Sequence, residues 1–228
     1  MKVFIGHFGV GLAAKRVTPQ VSLAILFAAA QLADFLWPVL VAAGVEQVRI
    51  HPDNAPFTRL EFISYPYSHS LVALIVWGLV FGYAFVTLPR RVMMVLVLTA
   101  LVVSHWVLDF VTHVPDLPIY PGGPKMGLGL WNSTLATLVV EFAVYAVGLV
   151  IYARATLARD GIGRWGFLAL ATLLAVFYTA SLLAAPPSVT AIWTGALIGS
   201  PVILALSWWT DRHRAPRTQT FAPFSDRV

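Results

Sequence analysis

The sequence predicts an all-α, polytopic membrane protein: a bundle of about six transmembrane helices preceded by a short N-terminal helix. The first reason is composition, because 59% of the 228 residues are hydrophobic and 11% are charged, whereas soluble domains carry about 25% charged residues. The second reason is the mean hydropathy of +0.80, which leaves no room for a separate soluble domain. We therefore expect one transmembrane domain over residues 1–210 and a polar tail over 211–228.

The apolar runs define the elements in chain order. Residues 1–14 are apolar but too short to cross a membrane, since a spanning helix takes about 20 residues. They fit an amphipathic helix or a helix that enters the membrane only to a limited depth. Six longer apolar runs follow at 19–43, 68–88, 92–112, 131–153, 165–185 and 188–209. Two loops that contain prolines, 44–67 and 113–130, carry most of the remaining polar residues.

The basic residues predict the orientation of the bundle. With six spans, eleven Lys and Arg residues fall on the side where the first span begins, and three fall on the other side. Because cytoplasmic loops carry the excess of Lys and Arg, this predicts a multi-pass protein of the bacterial inner membrane with a cytoplasmic C-terminus. The two long loops then face outward. The formal net charge of +5 reflects this orientation and does not indicate a nucleic-acid partner.

Ionisable residues within the apolar runs are candidates for a functional site, because burying them in a membrane is costly. In the third run His105 and Asp109 are four residues apart, on the same face of a helix. Such a pair either binds one metal ion or is a hydrogen-bonded pair in which Asp109 orients His105. The topology brings Asp34 and His69 to the same leaflet. His7 joins them if the N-terminal segment rises back into the membrane.

The predicted metal site therefore consists of five residues, with His105 and Asp109 as its catalytic pair: His7, Asp34, His69, His105 and Asp109. The sequence contains no cysteine, so thiolate ligands are excluded. Imidazole and carboxylate ligands suit Zn²⁺, with Mn²⁺ or Fe²⁺ as alternatives. A bound ion of this kind lowers the pKa of a water ligand or polarises a phosphoryl or carbonyl oxygen. A site that opens to the outer leaflet meets lipid headgroups and lipid-linked substrates first.

Three polar residues near this set carry separate expectations. Glu141, near the middle of the fourth run, is expected either to orient a ligating histidine or to belong to a proton path. His113 extends the row of His105 and Asp109 by one more helical turn. It lies with Asp116 at the start of a loop with prolines, however, and we expect both side chains to be solvated.

Four short motifs, in this order, resemble the bacterial membrane-bound metal-dependent hydrolases, a family long catalogued as a domain of unknown function. They are Gly6-His7, then 33–38 around Asp34, then 64–70 around His69, and finally 104–112 around His105 and Asp109. The last matches the family pattern Ser-His-x-x-x-Asp-x-x-Thr at every defined position. The resemblance covers about residues 4–121, within a motif-bearing segment of residues 1–121, and implies a metal-dependent hydrolase.

Four polar residues of the family pattern are replaced in this chain. Leu36 and Trp37 stand where the family has an aspartate and a histidine, and Ser64 and Tyr65 stand where it has a histidine and an arginine. These changes favour a one-metal site over a two-metal site and weaken the binding of a phosphate or carboxylate. The resemblance thus implies a divergent hydrolase acting at the outer leaflet on a lipid or lipid-linked phosphoester, or a relative that kept the metal without the chemistry.

Two other functions fit the same residues. In a proton- or ion-coupled transporter or channel, Asp34, His105, Asp109 and Glu141 lie along one path that continues to the cytoplasmic side. In a haem or electron-transfer protein, two histidines on facing helices at similar depth are the axial ligands. The hydrolase predicts instead a tightly grouped set of His and Asp side chains and a closed cytoplasmic side.

Overall fold

The computed structural model describes residues 5–51, 57–85, 91–183 and 188–217, apart from the side chains of Arg91 and Leu183. The protein is mostly helical, and its strands form three short antiparallel pairs, β1–β2, β3–β4 and β5–β6. In chain order the elements are α1 (Ile5–Ala14), α2 (Leu23–Ala30), α3 (Leu32–Ala42), β1 (Gln47–Ile50), β2 (Leu60–Ser64), α4 (Leu71–Phe85), α5 (Arg91–Thr112), β3 (Leu117–Pro118), β4 (Lys125–Met126), a 3₁₀ turn (Leu130–Asn132), α6 (Thr134–Ala155), β5 (Thr156–Ala158), α7 (Gly161–Leu183), α8 (Val189–Arg212) and β6 (Arg214–Pro216).

Four of the described helices, α5 to α8, are long and apolar enough to cross a membrane. The helices α2 and α3 pass the same test only together, and they are bent by 59° at Gln31, whose backbone (φ −110°, ψ 13°) is not helical. The described residues therefore contain four candidate spans, or five if the bent pair is one span. The predicted run 68–88 is a helix of 15 residues, α4, and its last predicted residues lie outside the described ones.

The short N-terminal helix α1 lies inside the bundle. Ile5, Phe8 and Leu12 are almost fully buried and belong to the main hydrophobic core, which also includes residues of α2, α6, α7 and α8. Gly9 allows a close approach to α6, because a Cβ at that position would lie 2.7 Å from the carbonyl oxygen of Val144. The N-terminal segment thus lies inside the bundle, and its depth in a membrane stays a prediction.

A buried ion pair ties four helices together at one end of the bundle. Lys15 Nζ lies 2.7 Å from Asp211 Oδ2 and donates a second hydrogen bond to the carbonyl oxygen of Val21, at 2.8 Å. The hydroxyl of Tyr152 donates to the other oxygen of Asp211 at 2.8 Å. We call this end, which also carries Arg154 and further arginines of β6 and α8, the basic end.

The first residues of the predicted polar tail belong to the folded bundle. Helix α8 continues to Arg212, and β6 pairs with β5 from Arg214 to Pro216. Arg214 is buried, and its guanidinium donates to the carbonyl oxygen of Gly163 at 2.6 Å. Residues 218–228 of the predicted tail lie outside the described ones.

Candidate metal centre

All five predicted site residues meet in one cluster at the opposite end of α1 from Lys15. Nε2 of His7 lies 3.2 Å from Asp109 Oδ1, and Nε2 of His105 lies 3.2 Å from Asp109 Oδ2. Nε2 of His69 lies 3.6 Å from Asp34 Oδ1 and 3.9 Å from Asp109 Oδ2. Asp34 is half-buried, whereas the other four are at least 96% buried.

The separations suit a shared ion. Two sets of three ligand atoms each lie within 4.8 Å of one another, one from His7, His105 and Asp109, the other from Asp34, His69 and His105. Ligands held at about 2.0–2.2 Å from one ion lie roughly 3–4 Å apart. The predicted approach of His69, His105 and Asp109 is therefore confirmed, and their role as ligands stays a prediction.

The position of the proton on His105 follows from its outer contact. Its Nδ1 lies 2.9 Å from the carbonyl oxygen of Ala30, the last residue of α2, where helical carbonyls lack partners within the helix. A carbonyl oxygen only accepts hydrogen bonds, so Nδ1 carries the proton. The other ring nitrogen, Nε2, faces Asp109 Oδ2 at 3.2 Å.

A buried carboxylate orients His69 in the same way. Ser68 Oγ donates to Glu46 Oε2 at 2.6 Å and therefore accepts a hydrogen bond from His69 Nδ1, at 2.7 Å. Glu46 is 1% exposed, and its other oxygen accepts from the backbone N–H groups of Tyr67 and Ser68. The other ring nitrogen of His69, Nε2, lies 3.6 Å from Asp34 Oδ1. Metal-binding histidines are commonly oriented by such outer carboxylates.

His113 also belongs to the cluster, so the expectation that it is solvated is wrong. It is 3% exposed, and its Nε2 lies 3.9 Å from Asp109 Oδ2. Its Nδ1 donates to Asp116 Oδ1 at 2.8 Å, and the hydroxyl of Tyr65 donates to the same oxygen. Burial, and then the negative charge of Asp116, raise the pKa of the Tyr65 hydroxyl, which keeps its donor proton in place. The signal in the sequence is the spacing of His105, Asp109 and His113 by four.

Glu141 contacts the backbone that carries His7. One of its carboxylate oxygens accepts a hydrogen bond from the N–H group of Gly6 at 2.7 Å, and the side chain is buried. Glu141 thus holds the backbone next to His7 and not an imidazole ring, and both of its predicted roles stay predictions.

A small cavity of about 30 Å³ adjoins the cluster, which is room for a water molecule. Asp34, His69, Asp109 and His113 line one side of it. Apolar and aromatic side chains form most of the remaining wall: Trp37, Thr58, Leu60, Phe62, Trp131 and Ile192. Asp34 Oδ2 is buried and has no hydrogen-bond partner among the described residues, as expected of an oxygen that would bind a cation.

The histidine geometry is unfavourable for haem. The rings of His7 and His105 stack face to face, with centroids 3.9 Å apart and planes 7° from parallel. A porphyrin must lie between its two axial imidazoles, and this stack leaves no space for one. The cluster fits a small ion instead.

No family model matches the chain, and comparisons with curated proteins and with solved structures find no similar protein. The family resemblance therefore stays a prediction. The argument for function depends on the residues of the site itself.

Proposed function

We propose that this protein is a membrane-embedded, metal-dependent hydrolase that acts on a lipid or lipid-linked phosphoester. One observation carries the proposal: the Nε2 atoms of His69, His105 and His113 all lie 3.2–3.9 Å from oxygens of Asp34 or Asp109, while their Nδ1 protons are donated outward. Lone pairs that face carboxylate oxygens repel one another unless a cation lies between them. A second proton on His69 or His113 does not explain their contacts of 3.6–3.9 Å with the carboxylates, which are too long for hydrogen bonds.

Zn²⁺ is the ion that we expect, with Mn²⁺ or Fe²⁺ as alternatives, because the ligands are imidazole and carboxylate. Once bound, such an ion polarises a phosphoryl or carbonyl oxygen and makes water more acidic. Asp34 lines the cavity, and its buried Oδ2 has no hydrogen-bond partner among the described residues, so it can bind the ion there. Trp37 and Phe62 exclude bulk water from the same space, which strengthens the electrostatic interactions inside it.

We also propose a six-span topology in which the bent pair α2–α3 and the helix containing α4 count as one span each. The basic end then lies in the cytoplasm of a bacterium, together with the C-terminus, and the His/Asp cluster opens to the outer leaflet. The separation of Lys15 and Arg154 from the cluster along α1 and α6 supports this orientation, since Lys and Arg accumulate on the cytoplasmic side. Reporter fusions at Arg90 and within residues 52–56 should be located on opposite sides of the membrane.

The packing of α1 on α6 favours the hydrolase over a transporter. A route from the cluster to the basic end would start at Glu141 and run between these two helices. Their backbones are in direct contact there, at Gly9 and Gly148. The open groove of about 320 Å³ beside this contact is lined by apolar residues, and none of the described side chains there can bind an ion. Tyr152 of α6 is buried closer to the basic end, where its hydroxyl bonds to Asp211.

The proposal is tested by phosphate release from vesicles that contain phosphatidate, after reconstitution of the zinc-loaded protein. We expect His105→Ala to abolish release and His51→Ala, at an exposed position, to preserve it. A chelator should stop the reaction and added Zn²⁺ should restore it. Release that persists in His105→Ala contradicts the proposal. If the protein hydrolyses a carboxylic ester and not phosphatidate, the proposed hydrolase activity stands, and the proposed phosphoester substrate is wrong.

A further inference from the structure

The cluster has more ligand groups than one ion uses. Four imidazoles and two carboxylates lie together: His7, His69, His105, His113, Asp34 and Asp109. A catalytic zinc takes about three protein ligands and keeps a position open for water or substrate. Six groups are therefore enough for two such ions.

The four imidazoles divide into two that line the cavity and two that do not, while His105 Nε2 also lies 4.0 Å from Asp34 Oδ1. His7 and His105 stack on each other, and each has its Nε2 3.2 Å from an oxygen of Asp109. Neither of them lines the cavity of about 30 Å³. His69 and His113 do line it, and each has its Nε2 3.9 Å from Asp109 Oδ2. Asp109 is thus the carboxylate that all four imidazoles approach.

The cavity itself has the features of a cation position. Asp34 and His69 meet there at 3.6 Å, and the Nδ1 of His113 is occupied by Asp116, so its Nε2 is free to bind a cation. Asp34 Oδ2 adds a buried oxygen without a partner in the described chain. The hydrogen bonds of His69 to Ser68 and of His113 to Asp116 fix both rings before an ion arrives.

We propose that the protein binds two divalent ions, with the second in the cavity between Asp34, His69 and His113. His7 and His105 hold the first ion, and Asp109 is shared by the two, as a bridging carboxylate. Hydrolytic sites with two ions hold them about 3.5–4 Å apart and stabilise both the attacking and the leaving oxygen. His113 supplies a ligand beyond the five that the motifs predict. This inference depends on the metal-dependent function proposed above.

Metal stoichiometry tests the inference directly. The apoprotein in detergent is loaded with Mn²⁺, and bound metal per chain is measured by mass spectrometry. We expect two ions in the wild type and in the control His51→Ala, but one ion in His113→Ala and one in His7→Ala. Two Mn²⁺ ions that share a carboxylate also give a spin-coupled paramagnetic resonance signal. His113→Ala should replace it with the signal of an isolated ion.

The outcomes separate the inference from the proposed function. One ion in both the wild type and His113→Ala overturns the second position and leaves the one-ion hydrolase intact. Two ions in His113→Ala show that His113 is not a ligand and overturn the assignment. No bound ion in the wild type overturns both proposals. If His113→Ala does not fold, His113→Asn gives the same test, because its shorter amide fills some of the space beside Trp131 and cannot reach the ion as imidazole does.

Discussion

Gly9 provides a test of how α1 delivers His7 to the site. A Cβ added at Gly9 would lie 2.7 Å from the carbonyl oxygen of Val144 and 2.8 Å from Cα of Tyr145. Both are backbone atoms that cannot rotate away. Gly9→Ala therefore requires α1 to move by about 0.7 Å to restore a contact of about 3.5 Å. Overpacking of this kind typically costs about 1–3 kcal/mol of stability.

The same displacement should reach the metal site, because His7 lies two residues before Gly9 on the same helix. Functional sites tolerate movements of about 0.5 Å, so we expect Gly9→Ala to reduce bound metal as well as the unfolding temperature in detergent. The control is Gly199→Ala in α8, where an added Cβ has no described atom within 4 Å. It should leave both quantities unchanged. If the two variants behave alike, the tight contact of α1 and α6 does not position His7.

Three further predictions concern single contacts. Ser68→Ala removes the link between Glu46 and His69 and should lower metal affinity about 10–100-fold without changing the fold, as metal titration and circular dichroism would show. Asp109→Asn should lower affinity more than Ser68→Ala does in the same titration, because the charge that four imidazoles approach is lost; an equal effect would contradict its role as a ligand. Asp211→Asn leaves the charge of Lys15 buried without its partner and should cost about 3–5 kcal/mol of stability. Denaturation in detergent measures this loss, and a variant as stable as the wild type would contradict the importance of the pair.

The helices and the central pair could be predicted from the sequence because both depend on local patterns. Long apolar runs predict membrane helices from length alone, and the spacing of His105 and Asp109 predicts one helical face. The bend at Gln31 could not be predicted in this way, since the run 19–43 is apolar on both sides of it. Helix α2 ends at that bend, and the carbonyl oxygen of its last residue, Ala30, accepts a hydrogen bond from His105. A bend that the hydropathy does not show therefore decides which ring nitrogen of His105 carries the proton.

The residues that sequence reasoning missed share a physical reason: their partners are distant in sequence. Glu46 has the pattern of an ordinary loop carboxylate, yet its hydrogen bonds join it to Ser68, 22 residues away. The sequence predicts that Lys15 is one of the basic residues that flank a span, but it is buried against Asp211, 196 residues away. The prolines after His113 predict a loop, although its spacing from Asp109 already indicates a shared face. Contacts of this kind follow from tertiary packing and leave no local pattern.

The most direct test of the account is X-ray absorption at the zinc edge of the purified, zinc-loaded protein, compared with His105→Ala. We predict nitrogen and oxygen ligands at about 2.0–2.2 Å, with the outer scattering that imidazole rings produce and no sulfur. The signal from imidazole should decrease in His105→Ala and remain in His51→Ala. An absence of bound metal in the wild type, or a shell of oxygen alone that His105→Ala does not change, would contradict the claim that these histidines and aspartates hold an ion.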